Sequence, residues 1–197
     1  MTNGEQVIAT ATDNAGNISQ GSSVTAPDLT APDAPTIGSV IDDIAPQTGT
    51  VINGGSTNDR RPQLTGTAEA GSTVTISDGG IAIGTAVVAS NGTWTFTPSV
   101  DLNESTHQIT VRATDAAGNP GPASPVVTLT VDLTPPTAPT AIVLLDDTGL
   151  IRGTITSGVP TDASQPILAG TGEPGGTITI YDNGVAIGTT TVLPNGT

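Results

Sequence analysis

Short runs in which hydrophobic and polar residues alternate recur along the chain. Clear examples are residues 74–76 (Val-Thr-Ile), 94–96 (Trp-Thr-Phe) and 109–113 (Ile-Thr-Val-Arg-Ala). A period of two is typical of β-strands, because successive side chains point to opposite faces of a sheet. The pattern therefore predicts half-buried strands, and no stretch of the sequence has the spacing of an amphipathic helix.

Turn-forming residues separate these runs, for example residues 78–80 (Asp-Gly-Gly), 90–92 (Ser-Asn-Gly) and 117–119 (Ala-Gly-Asn). Such clusters are typical of tight connections between strands. About seven short strands within about 100 residues are typical of an immunoglobulin-like β-sandwich. The predicted strands are residues 36–41, 63–68, 73–77, 81–89, 93–97, 108–114 and 125–131.

The sequence also repeats itself. Residues 61–69 return as residues 165–173, so that Glu173 follows Glu69 by 104 positions. Residues 11–17 return as residues 113–119 at a spacing of 102, and a two-residue insertion after Asn119 accounts for the difference. Self-similarity at a fixed spacing indicates a tandem array of similar units.

This spacing predicts three parts. Residues 1–29 are the C-terminal part of one repeat and supply its last two strands, residues 30–133 are a complete repeat, and residues 134–197 are the N-terminal part of the next. The fold class predicted is all-β, with tandem immunoglobulin-like β-sandwich domains of about seven strands each, one complete and two partial. The residues after Met1 lack the pattern of a signal peptide, so we expect an internal segment of a longer protein.

Charge narrows the choice of partners. The 197 residues carry a formal net charge of −14 and include no cysteine. Nucleic-acid binding requires clustered Lys and Arg, which this sequence lacks. We therefore predict no nucleic-acid partner, and we predict no membrane insertion, because no apolar run is long enough to span a bilayer.

The order of strands in such a sandwich sends alternate loops to opposite ends, and the acidic residues gather at both ends, where repeats meet. Like charges crowded there repel unless a cation intervenes, and Ca²⁺ prefers six to eight oxygen ligands. We predict Ca²⁺ at both junctions; the alternative is that these are ordinary solvated loop acids that cap turns. One predicted ligand set is Asp28, Asp33, Glu69 and Asp115, and the other is Asp42, Asp43, Asp59, Asp132 and Glu173.

No set of residues typical of catalysis is visible, and we predict that the chain is not an enzyme. His107 is the only histidine and is expected to be exposed at the start of a strand. Trp94 and Phe96 alternate with Thr95, so both are expected in the core; the other interpretation of Trp94 is a sugar-stacking surface residue. The proline-rich segments 26–35 and 133–139 are predicted to be stiff linkers.

The sequence resembles a known family in four places. Residues 34–43 (Ala-Pro-Thr-Ile-Gly-Ser-Val-Ile-Asp-Asp), 61–69 (Arg-Pro-Gln-Leu-Thr-Gly-Thr-Ala-Glu), 91–94 (Asn-Gly-Thr-Trp) and 113–119 (Ala-Thr-Asp-Ala-Ala-Gly-Asn) are similar to the bacterial Ig-like repeats of BapA-type biofilm-associated proteins and related giant adhesins. The resemblance implies type I secretion, a place on the bacterial cell surface, and Ca²⁺ at domain junctions.

The predicted function is that of a non-catalytic structural stalk segment of a large surface adhesin, involved in cell adhesion and biofilm formation and rigidified by Ca²⁺. The alternative is a carbohydrate- or protein-binding module, accessory to an extracellular hydrolase. Neighbouring repeats are the expected partners, and other parts of the parent protein would bind the host cell, a surface or the biofilm matrix. The two partial ends are expected to associate head to tail between molecules.

Overall fold

Every regular element that the structure describes is a β-strand, which confirms the all-β prediction. The computed structural model describes residues 4–150 and 152–197. In these ranges the strands are β1 (Gln6–Ala9), β2 (Ser22–Thr25), β3 (Thr36–Asp42), β4 (Gly49–Val51), β5 (Gly55–Thr57), β6 (Gln63–Thr67), β7 (Thr73–Asp78), β8 (Ile81–Val87), β9 (Thr93–Phe96), β10 (Ser105–Thr114), β11 (Pro120–Ala123), β12 (Val127–Val131), β13 (Thr140–Asp146), β14 (Gly153–Ile155), β15 (Ile167–Thr171), β16 (Thr177–Asp182) and β17 (Val185–Thr191).

Strands β3 to β12 form a two-sheet sandwich. One sheet has the order β4-β3-β6-β9, and the other has the order β5-β12-β10-β7-β8, with β11 also paired to β10. All pairings are antiparallel except that of β5 with β12. With β3, β6 and β9 as strands A, B and E, and β7, β10 and β12 as C, F and G, this is the strand order of an immunoglobulin-like sandwich.

Each of the seven predicted strands overlaps an observed one, but three short strands were missed. Strands β4, β5 and β11 have only three or four residues and contain glycine or proline. Their pairing depends on neighbouring strands and leaves no hydrophobic alternation in the sequence, so tertiary context determines them.

The core of the sandwich is aliphatic around one large aromatic side chain. Val40 and Leu64 from the first sheet and Val74, Ile76 and Ile109 from the second are all buried in one cluster. The alternating positions predicted to point inward do so. Burial of each such side chain contributes roughly 1.5–3 kcal/mol relative to exposure.

Two glycines make room for the aromatic residues of β9. A Cβ atom on Gly66 would lie 2.5 Å from the Trp94 ring and 1.9 Å from the Thr36 carbonyl oxygen, and one on Gly84 would lie 2.4 Å from the Phe96 ring. Trp94 is 2% exposed and Phe96 packs against the core cluster. Both aromatic residues therefore face the core as predicted, and each occupies the space that a missing side chain leaves.

The chain divides into two compact units after Leu133. In the first unit, β1 and β2 form an additional antiparallel hairpin. The second unit contains the sheets β14-β13-β15 and β16-β17. Its hydrophobic side chains are less covered: Leu64 is 1% exposed, whereas Leu168, 104 positions later, is 39% exposed. The three-part division into residues 1–29, 30–133 and 134–197 stays a prediction.

Gly66→Ala is expected to destabilise the sandwich strongly, because the new methyl group would overlap backbone and the buried ring. We expect a loss of about 2–4 kcal/mol in the free energy of unfolding. Urea unfolding followed by the fluorescence of Trp94 and by circular dichroism measures it. Gly38→Ala is the control, since its Cβ would have ordinary contacts at 3.7 Å; a similar loss in both variants would contradict the packing argument.

Candidate functional site

The predicted Ca²⁺ ligands at the N-terminal end of the sandwich lie in two places. Asp33 and Glu69 line one shallow cleft with Ala34, Thr67 and Ala68. Asp115 lies in the loop between β10 and β11, and this loop contacts the backbone of Asp28 through Asn119.

The loop at Asp115 is held by a closed set of hydrogen bonds. The backbone amide of Asn119 donates to Asp115 Oδ1 and its side-chain amide donates to Oδ2, each at 2.8 Å. These bonds, first that of the Asn119 side chain, then those of the backbone amides of Asn119, Ala117 and Gly118, lower the pKa of Asp115 below its ordinary 3.8. Both carboxylate oxygens thus already have protein donors.

The same loop occurs in the first repeat, where Asn17 donates to Asp13 in the same way. The pKa of Asp13 is lowered for the same reason, the Asn17 side chain being the largest cause. A carboxylate that recurs with its own asparagine is explained by the turn that it holds. This supports a structural role for Asp115, which holds the turn between β10 and β11.

The linker before β3 packs on the sandwich that follows it. The side chain of Asn119 donates to the carbonyl oxygen of Asp28 at 3.0 Å. Pro32 is buried, and a Cβ on Gly121 would lie 2.2 Å from its carbonyl oxygen. Pro35 is also fully buried. The linker is therefore a packed edge of the repeat as well as a proline-rich spacer.

At the C-terminal end of the sandwich, Thr57 connects three of the predicted ligands. Its hydroxyl donates to Asp42 Oδ2 and accepts a bond from the backbone amide of Asp59 at 3.0 Å. Its carbonyl oxygen accepts a bond from the backbone amide of Asp132 at 2.9 Å. Asp42 is buried, and its other oxygen accepts a bond from the backbone amide of Ile44. Asp43 beside it is exposed.

The second unit repeats this arrangement with one change. Thr161 donates to Asp146, and its hydroxyl accepts a bond from the backbone amide of Ala163. The bond from Thr161 is the largest cause that lowers the pKa of Asp146. Ala163 stands 104 positions after Asp59, so the loop folds without a carboxylate there.

Asp59 therefore has a carboxylate that the loop does not require. The residue is 4% exposed. Its Oδ1 accepts a bond from the backbone amide of Arg61, but Oδ2 is buried and has no hydrogen-bond partner among the described residues. A buried charged oxygen without a protein partner is costly, and a bound ion or water is a common explanation for one.

No group of three or more His, Cys, Asp and Glu side chains in the described part of the chain is close enough together to hold a metal ion. The pairs described above thus bring together only part of each predicted set. Glu173 lies in the second unit, where it lines a cleft with Pro136 and Pro139 like that at Glu69. The assignment of Ca²⁺ to these residues stays a prediction.

Two arginines neutralise one acid at this end. Arg60 and Arg61 contact Asp101 at 3.2 and 2.6 Å, and all three side chains are about half exposed. Exposed ion pairs contribute little stability, about 0–1 kcal/mol each. Their main effect is to compensate the negative charge of Asp101 locally.

The prediction that His107 is exposed was wrong, because the residue is only 3% exposed. Strand β10 begins at Ser105, three residues before its predicted start, so the inward alternation of Ile109 and Val111 extends back to His107. That alternation was available in the sequence.

The surroundings of His107 indicate a structural role. Its Nδ1 lies 2.6 Å from Asp78 Oδ2 and its Nε2 lies 2.9 Å from the carbonyl oxygen of Asn103. Ser105 Oγ is 3.4 Å from Nε2, so the order Ser-His-Asp resembles a hydrolase triad. A general base must accept a proton at Nε2, however, and the Asn103 carbonyl requires a donor there.

A comparison with known protein families agrees with this fold. Residues 35–133 match the model of the bacterial Ig-like domain family. The chain belongs to this family, which confirms the resemblance found in the sequence. A search of curated proteins gives no match.

One similar solved structure is the crystal structure of a tetra-tandem repeat in the extending region of a large adhesion protein. It is 24% identical, with a TM-score of 0.40, over 97% of this chain and 46% of that one. The chain thus spans less than half the length of that structure.

No helix in residues 4–150 and 152–197 has the length and apolar character that crossing a bilayer requires.

Acid is expected to remove the stabilisation that the Asp115 loop provides. Because its pKa in the folded state is lowered, the stabilisation is complete above the ordinary value of 3.8 and is lost as pH falls through the lower, folded-state value. Asp115→Asn should therefore destabilise the protein at pH 7 and differ progressively less from the wild type below about pH 4.

Thermal melting between pH 7 and pH 2.5 measures this difference, with Asn119→Ala as a second variant that removes the main donor. Neutralisation of the other acids affects all variants alike. A difference between wild type and Asp115→Asn that is constant across this range would contradict the argument.

Proposed function

We propose that this chain is a non-catalytic structural segment of the stalk of a large bacterial surface adhesin, which serves cell adhesion and biofilm formation. The protein would be secreted and lie outside the cell. Its partners along the stalk are neighbouring repeats, and the contacts with a host cell, a surface or the matrix belong to other parts of the parent protein.

The observation that carries this proposal is the packing of the linker on the repeat that follows it. Pro32 lies against Gly121, and Asn119 binds the Asp28 carbonyl. In the second unit, Pro136 and Pro139 lie along the cleft at Glu173. A proline-rich segment that packs on its own repeat loses freedom, and restricted linkers are what an extended spacer requires.

We further propose that Ca²⁺ stiffens the junctions. The support at the C-terminal end is Asp59, whose buried Oδ2 has no hydrogen-bond partner among the described residues and could bind a cation. Asp43 follows Asp42 in the sequence, and the backbone amide of Asp132 donates to the carbonyl oxygen of Thr57, so both acids would complete the oxygen ligands. At the N-terminal end, Asp33 and Glu69 share one cleft. The ion would neutralise part of the net charge of −14.

The alternative of a carbohydrate-binding module finds no support in the aromatic residues. Trp94 is buried and Phe96 is half-buried, while Tyr181 is 64% exposed. Sugar recognition by stacking requires an exposed aromatic surface, and the described residues offer one isolated tyrosine. The stalk proposal accounts for the repeats and the linkers together.

Ca²⁺ is expected to raise the melting temperature and to increase the maximum dimension in X-ray scattering. A ligand present at a hundredfold excess over its dissociation constant stabilises the folded state by about 2.7 kcal/mol. Extracellular Ca²⁺ modules have dissociation constants on the order of 10⁻⁴–10⁻³ M, so roughly 10 mM Ca²⁺ against chelator is a suitable comparison.

Asp59→Asn should reduce the Ca²⁺ effect, since it keeps the Oδ1 acceptor and removes the charge. Asp182→Asn is the matched control: it makes the same change at an exposed hairpin acid outside both predicted sets. Mg²⁺ at equal concentration tests simple charge screening. The Ca²⁺ proposal fails if Ca²⁺ has no effect, if Mg²⁺ acts equally, or if both variants respond like the wild type.

Head-to-tail association of the two partial ends is also part of the proposal. The hairpin β1–β2 corresponds to β10 and β12 of the complete repeat, and strands β13 to β17 correspond to β3, β4, β6, β7 and β8. The two parts thus supply different strands of one sandwich, although the described residues of both lack a counterpart of β9.

A further inference from the structure

Two neighbouring strands at one side of the complete repeat carry no charge. Residues 79–100 contain no Asp, Glu, Lys, Arg or His, and they are the longest such stretch in a sequence with a net charge of −14. They include β8 and β9, which are edge strands of the two sheets. The Phe96 ring of β9 lies against Gly84 of β8, so both edges lie on the same side of the sandwich.

Strand β8 lacks most of the features that protect a sheet edge from pairing. Short length, charged side chains, proline and bulges are the usual ones. The edge strands β4 and β5 have three residues each, and β9 has four and is followed closely by Pro98. Strand β8 has seven residues without charge or proline, and its pairing with β7 is irregular only at Ile83. Residues 84–87 are therefore a regular edge without such protection.

The backbone groups of Thr85 and Val87 face this edge. The Val88 amide donates to the Ser72 carbonyl oxygen at 2.9 Å, and the Val88 carbonyl oxygen accepts a bond from the Gly71 amide at 3.2 Å. Both groups of Val88 thus point toward the segment that enters β7. Successive residues of a strand direct these groups to opposite sides, so those of Thr85 and Val87 point outward, where no strand pairs with β8 in the described ranges.

The side chains at these two positions also suit pairing with another strand. Val87 is 74% exposed, and Thr85 is exposed as well. Both are β-branched, and β-branched side chains directly opposite each other stabilise an antiparallel pair. An exposed valine on an uncharged, unpaired edge is a feature of association sites.

We propose that β8 is a self-association site, at which β8 of one chain pairs antiparallel with β8 of a second copy. A two-fold axis passes beside Ala86, so that Thr85 of each chain lies opposite Val87 of the other. The outward amide and carbonyl groups of these residues form the bonds between the chains. The contact uses the same surface on both subunits and closes as a dimer. This inference does not rest on the stalk or Ca²⁺ proposals.

Charge is the reason for choosing a second copy as the occupant. Two chains that each have a net charge of −14 repel wherever their acids meet, but residues 79–100 present no acid. A basic partner, which the net charge attracts, finds no carboxylate on this stretch to pair with, and an acidic partner is repelled by the rest of the chain. The edge is also its own complement, because Thr85 and Val87 lie at equal distances on either side of Ala86.

Hydrogen exchange of the full 197-residue chain, followed by NMR at increasing protein concentration, tests the pairing. The interface is small, so we expect a dissociation constant of about 0.1–1 mM. Half of the chains are dimeric when the concentration equals this constant, so the Thr85 and Val87 amides should exchange at least about twofold more slowly at roughly 1 mM than at high dilution. The amides of Gly84 and Ala86 face β7 and should not respond to concentration.

A lysine on the edge distinguishes this site from other contacts. Val87→Lys brings the lysines of the two chains within roughly 9 Å of each other and should weaken self-association at least about tenfold. Sedimentation equilibrium measures the affinity, and the concentration dependence at Thr85 should disappear. Val126→Lys is the matched control, since it makes the same change at a valine that is 48% exposed outside β8 and β9; it should associate like the wild type. Melting curves confirm that both variants are folded.

Three results would overturn the proposal. The first is exchange at Thr85 and Val87 that does not depend on concentration. The second is an equal loss of affinity in Val87→Lys and Val126→Lys, which would indicate a general effect of charge. The third is self-association that Val87→Lys leaves unchanged; contact through the partial ends would give this result, and the head-to-tail proposal would then stand without this one.

Discussion

The Trp94 ring packs directly on the backbone of Gly66, and the complete repeat is organised around this contact. Aromatic residues make up only 2% of the sequence, so the core is built mainly from aliphatic side chains. The Trp94 ring fills the space that these smaller side chains leave between them. The ring fits only because residue 66 has no Cβ, and it lies between β6 and the second sheet. Burial of Leu64, Val74 and Ile109 around it gives a closed sandwich in a chain that has no cysteine.

The ends of the sandwich are held by polar hydrogen bonds, whereas its core is held by hydrophobic packing. Asparagine and threonine side chains, among them Asn119 and Thr57, hold the carboxylates of Asp115 and Asp42 in hydrogen-bonded loops. The loops thus organise much of the negative charge locally, and the packed linker joins one end to the preceding segment. Asp59 differs from these acids, since its second oxygen has no such partner in the described chain.

Much of this organisation could be predicted from hydrophobic alternation and from the 104-residue repeat: the sandwich, seven of its strands and the inward direction of Trp94. The prediction for His107 was wrong because the start of β10 was placed three residues late. The alternation of inward and outward residues was predicted correctly, but its first inward residue, His107, fell outside the predicted strand. Thr57 was missed, although Thr161 recurs with Asp146 at the same spacing. Pairing of β4, β5 and β11 depends on distant neighbours and was beyond sequence reasoning.

The central claim is that strands β3 to β12 enclose the one closed core in the described chain, and native-state hydrogen exchange tests it most directly. Amides of β6, β7 and β10 should exchange only through global unfolding. Strands β15 and β16 correspond to β6 and β7, but the described residues contain no counterpart of β9 or β10 that pairs with them. Amides of β15 and β16 should therefore exchange at least about a hundredfold faster. Equal protection in the two units would contradict the account.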